Sequence, residues 1–96
     1  MLSLDDVLAP APGILFRQSG EELVVVLPAE GRFFVLNRTG AQVFQMIDGC
    51  RTLGEIAEAM SQEYQIPPER AGQDVLALAV KLLERGAVVK KQKGSQ

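Results

Sequence analysis

The run Phe33-Phe34-Val35-Leu36 closes the part of this chain that can form strands. Strand side chains alternate between two faces, so consecutive apolar residues make a strand that is apolar on both. Helical periodicity follows at once, and no later strand-like segment is long enough to cover the run. A strand of this kind at the margin of a small sheet needs a neighbour on its open edge. If the chain does not supply that neighbour, a partner does. The plain alternatives are cover by the N-terminal arm or by a second copy in a homodimer.

Two more strand signals precede the run. Ile14-Leu15-Phe16-Arg17 is short and ends at the turn pair Ser19-Gly20. Glu22-Leu23-Val24-Val25-Val26-Leu27 is β-branched and continuous, as a strand covered on both sides would be. Pro28-Ala29-Glu30-Gly31 then turns the chain, with Gly31 able to take positive φ. The short links predict an antiparallel meander.

The remainder predicts three helices. Asn37 or Thr39 can cap the first, whose apolar face is Ala41, Val43, Phe44 and Ile47 and whose stop is Gly49. Thr52-Leu53-Gly54-Glu55 has capping-box spacing. Leu53, Ile56, Ala57, Met60 and Tyr64 follow at helical intervals until Pro67-Pro68. Pro68 suits the first turn of a last helix from about Glu69 to Arg85, ended by Gly86. The class is therefore α+β, a three-stranded antiparallel sheet followed by three helices. Residues 1–12, with Ala9-Pro10-Ala11-Pro12, form an extended arm in which Asp5 to Leu8 allow one turn of helix. The domain spans 13–89, with Ala87-Val88-Val89 as a small strand or packing segment, and 90–96 is a polar tail.

On the last helix, Val75, Leu78, Ala79 and Leu82 cluster in one arc, with Gly72, Leu76, Val80 and Leu83 on its shoulder. The apolar arc is roughly 200° wide, where a surface helix needs about 100°. Gly72 costs about 1 kcal/mol relative to Ala inside a helix and suits a place of close approach. The shoulder thus either touches a second layer of the fold or lies open.

Composition removes most chemistry. The chain has no His, one Cys and a formal charge of −2, so the usual general base and metal ligand are missing. Cys50 lacks a pairing base and reads as passive, and an unpaired cysteine fits a reducing cytoplasm. Asp5 and Asp6 stand where a signal peptide would be basic, and no run is long enough to span a membrane. The expectation is no catalytic residue, no metal and no cofactor. A DNA-binding winged helix is the competing reading. Its recognition helix would need bases and amides towards the groove, whereas the middle helix offers Glu55, Glu58, Gln62 and Glu63. No nucleic-acid or membrane partner is therefore expected.

Leu36-Asn37-x-Thr39-Gly40-Ala41, then Phe44, Ile47-Asp48-Gly49, Arg51-Thr52 and Ile56, and finally Asp74-Val75-Leu76 with Leu82-Leu83-x-x-Gly86, resemble the PqqD family across residues 13–89. The resemblance implies a small winged-helix-like domain that recognises the leader of a ribosomally made precursor peptide. In that family the leader adds as a strand beside the third strand, in the cleft against the third helix. It is presented there to a modifying enzyme, in the founding pathway the radical S-adenosylmethionine enzyme of pyrroloquinoline quinone biosynthesis. Carried over, the strand wall is Arg32, Phe33, Phe34, Val35 and Leu36. Helical geometry adds Gly72, Leu76, Val80 and Leu83 as the helix wall. The pathway is pyrroloquinoline quinone synthesis or a related peptide modification.

Overall fold

The structure is a computed structural model that describes residues 2–91. Its strands are β1 (Val7–Pro10), β2 (Leu15–Ser19), β3 (Glu22–Leu27), β4 (Arg32–Leu36) and β5 (Val88–Lys91). Its helices are α1 (Arg38–Met46), α2 (Leu53–Tyr64) and α3 (Pro68–Glu84).

The expected meander is present, with order β2-β3-β4 and antiparallel pairing throughout. Gly20-Glu21 is the two-residue loop between Ser19 and Glu22, and positive φ is needed only at Gly20, as in a type II′ hairpin. A 3-10 turn at Pro28–Glu30 links β3 to β4, and Gly31 leaves it in the left-handed region at φ 65°. Registers Phe16↔Val25↔Phe34 and Leu23↔Leu36 put these residues on the inner face. Leu23, Val25 and Leu27 are buried there, whereas Val24 and Val26 on the outer face are only half-buried. β3 is thus covered fully on one side, not on both as its composition suggested. Leu15, Phe33 and Val35 share the outer face and are exposed. Among the described residues nothing buries that side fully, and Val24 and Val26 stay half-buried between their two strand neighbours.

The helices begin where their caps predict. Gly40 donates its amide to Asn37 Oδ1 at 2.9 Å, which starts α1. Thr52 and Glu55 complete a reciprocal capping box at 2.8 and 3.0 Å, which starts α2. Phe44 from α1 is 1% exposed and meets Phe16 edge to face with centroids 5.3 Å apart, joining helix to sheet. Gln65 ends α2 in the left-handed region, and Ser61, buried near that end, donates to the Ile66 carbonyl at 2.6 Å. Val75, Ala79 and Leu82 turn α3 into the core.

The N-terminal segment differs from expectation. Its chain is strand, not a turn of helix, from Val7, and β1 pairs antiparallel with β5 as a separate two-stranded sheet. The far side of the segment is also bonded: Gly49, Leu53 and Gly54 donate their amides to the Leu8, Asp6 and Leu4 carbonyls at 2.8–2.9 Å. Leu8 is 1% exposed. Proline is tolerated in β1 because Pro10 ends the strand, where a missing donor costs little. Of the polar tail expected at 90–96, Lys90 and Lys91 belong to β5, and 92–96 lie outside the described residues.

Candidate functional site

β4 is an edge strand. Among the described residues its outer side has no strand partner, because β1 pairs with β5 instead. The arm therefore does not cover the apolar run. Phe33 and Val35 point to the outer face and remain 67% and 48% exposed. Arg32, Phe34 and Leu36 point to the inner face, where Leu36 is buried and Arg32 turns back to Glu30 at 2.9 Å.

Between β4 and α3 runs a groove of about 340 Å³. Phe34, Val35 and Leu36 form one wall, continued by Asn37 and Gly40 at the start of α1. Leu78, Lys81, Leu82 and Arg85 form the other. Close approach is possible at the α1 end because Gly40 has no side chain: a Cβ there would lie 3.3 Å from Asn37 Oδ1 and 3.4 Å from Leu36. The Arg85 guanidinium lies over the Phe34 ring, 5.2 Å from its centroid. An extended chain laid in this groove would meet the unpaired backbone of β4 on one side and apolar side chains of α3 on the other.

Of the residues expected on the strand wall, Phe34, Val35 and Leu36 line this groove and Arg32 and Phe33 do not; none of those expected on the helix wall does. Gly72, Leu76, Val80 and Leu83 occupy the opposite flank of α3. Gly72 faces Leu4, whose Cδ1 would lie 3.3 Å from an added Cβ. What approaches Gly72 closely is therefore a leucine side chain. Val80 and Leu83 border a shallow depression with Leu2, Glu84 and Lys90, and Leu76 is partly buried against the core. The reason is rotational. At about 100° per residue, the Val75-Ala79-Leu82 arc has two flanks, one through Leu76, Val80 and Leu83, the other through Leu78, Lys81 and Arg85. The second flank faces β4. Sequence reasoning assigned Leu78 to the core and Lys81 and Arg85 to solvent, so these groove residues were missed. Their available signal was two cations one turn apart beside a leucine.

A second cavity of about 330 Å³ lies beyond Leu78, which it shares with the groove. Thr39, Val43, Met60, Tyr64, Ile66 and Val75 help line it, and the Tyr64 hydroxyl donates to Gln42 nearby. Arg70 and Asp74, an exposed ion pair at 4.0 Å, also border the second cavity, and no other carboxylate lines either space. The carboxylates held below the usual range lie elsewhere: Asp6 through the Ser3 amide first and then Lys90, Asp48 through the Arg51 and Cys50 amides. Cys50 is exposed. No group of three or more potential metal ligands occurs among the described residues.

Comparison with known proteins agrees with this fold. The model of the family described as coenzyme PQQ synthesis protein D (PqqD) matches residues 22–88. A "PqqA binding protein" of Gluconobacter oxydans (strain 621H) is 29% identical over 82 residues, 85% of each chain. Three solved structures share the fold. TbiB1 in complex with the TbiA(beta) leader peptide superposes with TM-score 0.78 at 16% identity, covering 92% of this chain and 98% of that one. Lasso peptide synthetase B1 complexed with its leader peptide gives 0.79 at 24% identity, covering 85% and 96%. The PqqD truncation of Methylobacterium extorquens PqqCD, a stand-alone recognition element for such modified peptides, gives 0.78 at 24% identity, covering 93% and 95%.

Proposed function

Because this chain belongs to the PqqD family, we propose that it captures the leader of a ribosomally made precursor peptide and presents it to a modifying enzyme. The observation that carries this reading is the free edge of β4 beside the α3 groove. An added strand satisfies the unpaired amides and carbonyls of β4, which supply affinity with little demand on sequence. Alternate leader side chains then fall into the groove against Leu78 and Leu82, or onto the outer face beside Phe33 and Val35. The proposed site is Arg32, Phe33, Phe34, Val35 and Leu36 on the strand and Leu78, Lys81, Leu82 and Arg85 on the helix. The Gly72, Leu76, Val80 and Leu83 flank is left out because it faces away from β4. The names of the PqqA-binding relative and of the leader complexes support the reading.

The chain's role is delivery, with the bond-making left to the enzyme it serves. In pyrroloquinoline quinone synthesis or a related cytoplasmic pathway, that enzyme is a radical S-adenosylmethionine enzyme or another peptide-modifying catalyst. Without peptide, the same β4 edge is where a second copy would pair. The DNA-binding alternative gains nothing from the fold: Glu55, Glu58 and Glu63 stand exposed along α2 and would repel phosphates. No helix among the described residues is long and apolar enough to cross a membrane.

Titrating isotope-labelled protein with the leader of a precursor encoded beside it tests the proposal. Backbone amide signals of β4 and of Leu78 to Arg85 should shift together. Shifts confined to α2 would count against strand addition.

A further inference from the structure

We propose that the groove reads a carboxylate on the captured peptide, with Arg85 as the main contact and Lys81 as the second. The inference rests on strand capture at β4 and adds to it the class of residue recognised. The chain as a whole is acidic, with 12 Asp and Glu against 10 Lys and Arg, yet the ionisable side chains that line the groove are both cations. Neither is neutralised from within. The ion pairs of the described residues join Arg32 to Glu30, Arg38 to Glu21, Arg51 to Asp48, Arg70 to Asp74 and Lys90 to Asp6. Among the described residues, Arg17, Lys81, Arg85 and Lys91 stand outside these pairs, and two of the four meet in this one groove. The carboxylates on neighbouring elements are turned away or already engaged. Glu84 lines the depression on the opposite flank, Asp74 is held by Arg70 at 4.0 Å, and Glu30 is held by Arg32 at 2.9 Å.

The two cations are also differently prepared. Arg85 lies over Phe34 at 5.2 Å, so its planar group is oriented before any peptide arrives, and a guanidinium can grip a carboxylate with two parallel hydrogen bonds. Lys81 is a single charge on a flexible stem. They sit four residues apart, Lys81 in the last turn of α3 and Arg85 at its C-cap in helical conformation, which is about 6 Å of helix rise. Side chains on one face of an extended strand repeat every ~6.6–6.8 Å. A strand in the groove can therefore offer acids at positions i and i+2 to the two cations, while apolar neighbours fill the space around Leu78 and Leu82. A leader with an acidic residue on the groove-facing register is preferred over one with an amide or a base there.

A positional-scanning library of 12-residue peptides, fixed in turn as Glu, Gln or Lys at each position, tests this on the full chain. Binding is read by fluorescence anisotropy and, for the best peptides, by β4 amide shifts. The expected result is a preference of tenfold or more for Glu over Gln at one position or at two positions two residues apart. Arg85→Met, which keeps an unbranched apolar stem over Phe34, should abolish most of that preference, and Lys81→Met a smaller part. In both variants the readout is the ratio of Glu to Gln affinity, so a uniform loss of binding that leaves this ratio at the parent value counts against the proposal. Both side chains are exposed, so neither variant threatens the fold, and a circular-dichroism melt verifies this. If Glu and Gln peptides bind the parent chain equally while β4 amides shift, the carboxylate reading fails and strand capture stands. If none of the peptides shifts β4, both readings fall.

Discussion

The two flanks of α3 differ in composition, one carrying Gly72, Leu76, Val80 and Leu83 and the other Leu78 beside Lys81 and Arg85, and the molecule treats them in opposite ways. On one, Leu4 lies against Gly72 while Leu2 and Lys90 border a shallow depression with Val80 and Leu83, so the chain partly covers itself. On the other, Leu78, Lys81 and Arg85 face β4 across an open groove. The closed flank is tied by backbone bonds: the Leu4 and Asp6 carbonyls accept from the start of α2, and β1 pairs with β5 next to the end of α3. The open flank has no such tie, and its far wall still has backbone groups to offer. A helix face is core or binding surface according to what the rest of the chain brings to it. The cations sit on the flank that stays open, where water or a partner can reach them.

The largest expected effect separates the flanks by affinity. Leu78→Asp should weaken leader binding at least tenfold, about 1.4 kcal/mol, with the fold retained because Leu78 is only half-buried. The matching change on the other flank, Val80→Asp, should leave affinity within a factor of two, since Val80 is 40% exposed and far from the groove wall. Calorimetric titration of both variants checks the pair, and the reverse ranking would return the helix wall to the Val80 flank.

Next in size is a stability effect restricted to the closed flank. Leu4→Ala removes part of the cover over Gly72 and should cost about 1 kcal/mol, less than a fully buried leucine because Leu4 is 39% exposed. Denaturant melts should show the loss while leader affinity holds. A parallel loss of affinity in folded protein would mean that the two flanks are coupled.

A smaller effect, of opposite sign, is expected at Gly72. A Cβ there meets only the end of the Leu4 side chain, at 3.3 Å and 3.8 Å. That tip can shift, so Gly72→Ala should gain somewhat less than the ~1 kcal/mol of helix propensity. A fall in the melting temperature would show that Leu4 is held too firmly to move.

The smallest effect concerns acid. Asp6 is held below its ordinary value of 3.8, chiefly by the Ser3 amide it accepts from at 2.8 Å and further by Lys90 at 3.4 Å. A depressed carboxylate contributes its full stabilisation above the ordinary value and loses it as pH falls through the lower folded value. Acidification below 3.8 should therefore loosen the Leu2–Leu4 cover first. Leu4 methyl signals should drift towards unfolded positions while those of Leu78 hold. Simultaneous drift would argue that the closed flank has no separate tie.

Much of the fold was legible because its signals are local. A continuous β-branched run marked β3, Gly20 and Gly31 marked the turns, and Asn37 and the Thr52–Glu55 pair marked the helix starts. β1 was not legible. Asp5 to Pro10 has little strand propensity, and its extended form is stabilised by β5, which lies at the other end of the chain. The buried Leu8 shows how much that long-range pairing matters. In the groove, the strand wall could be read from Phe33 to Leu36 and from the absence of a later strand to cover them. Lys81 and Arg85 could not, because a cation on a helix surface looks the same whether it faces bulk water or a cleft.

The sequence by itself determined the order and type of the main elements, the apolar character of β4 and the excess width of the α3 face. Each of these depends on residues within a few positions of one another, through backbone preference, side-chain alternation and helical period. Tertiary structure alone decided which side of α3 is closed and which is open. A helical wheel shows two flanks beside the core arc but not which of them the rest of the chain will cover, and its apolar residues pointed to the Val80 flank. The preference arises when β4 faces one flank across the groove and Leu2 and Leu4, carried there by the β1–β5 pair, cover part of the other.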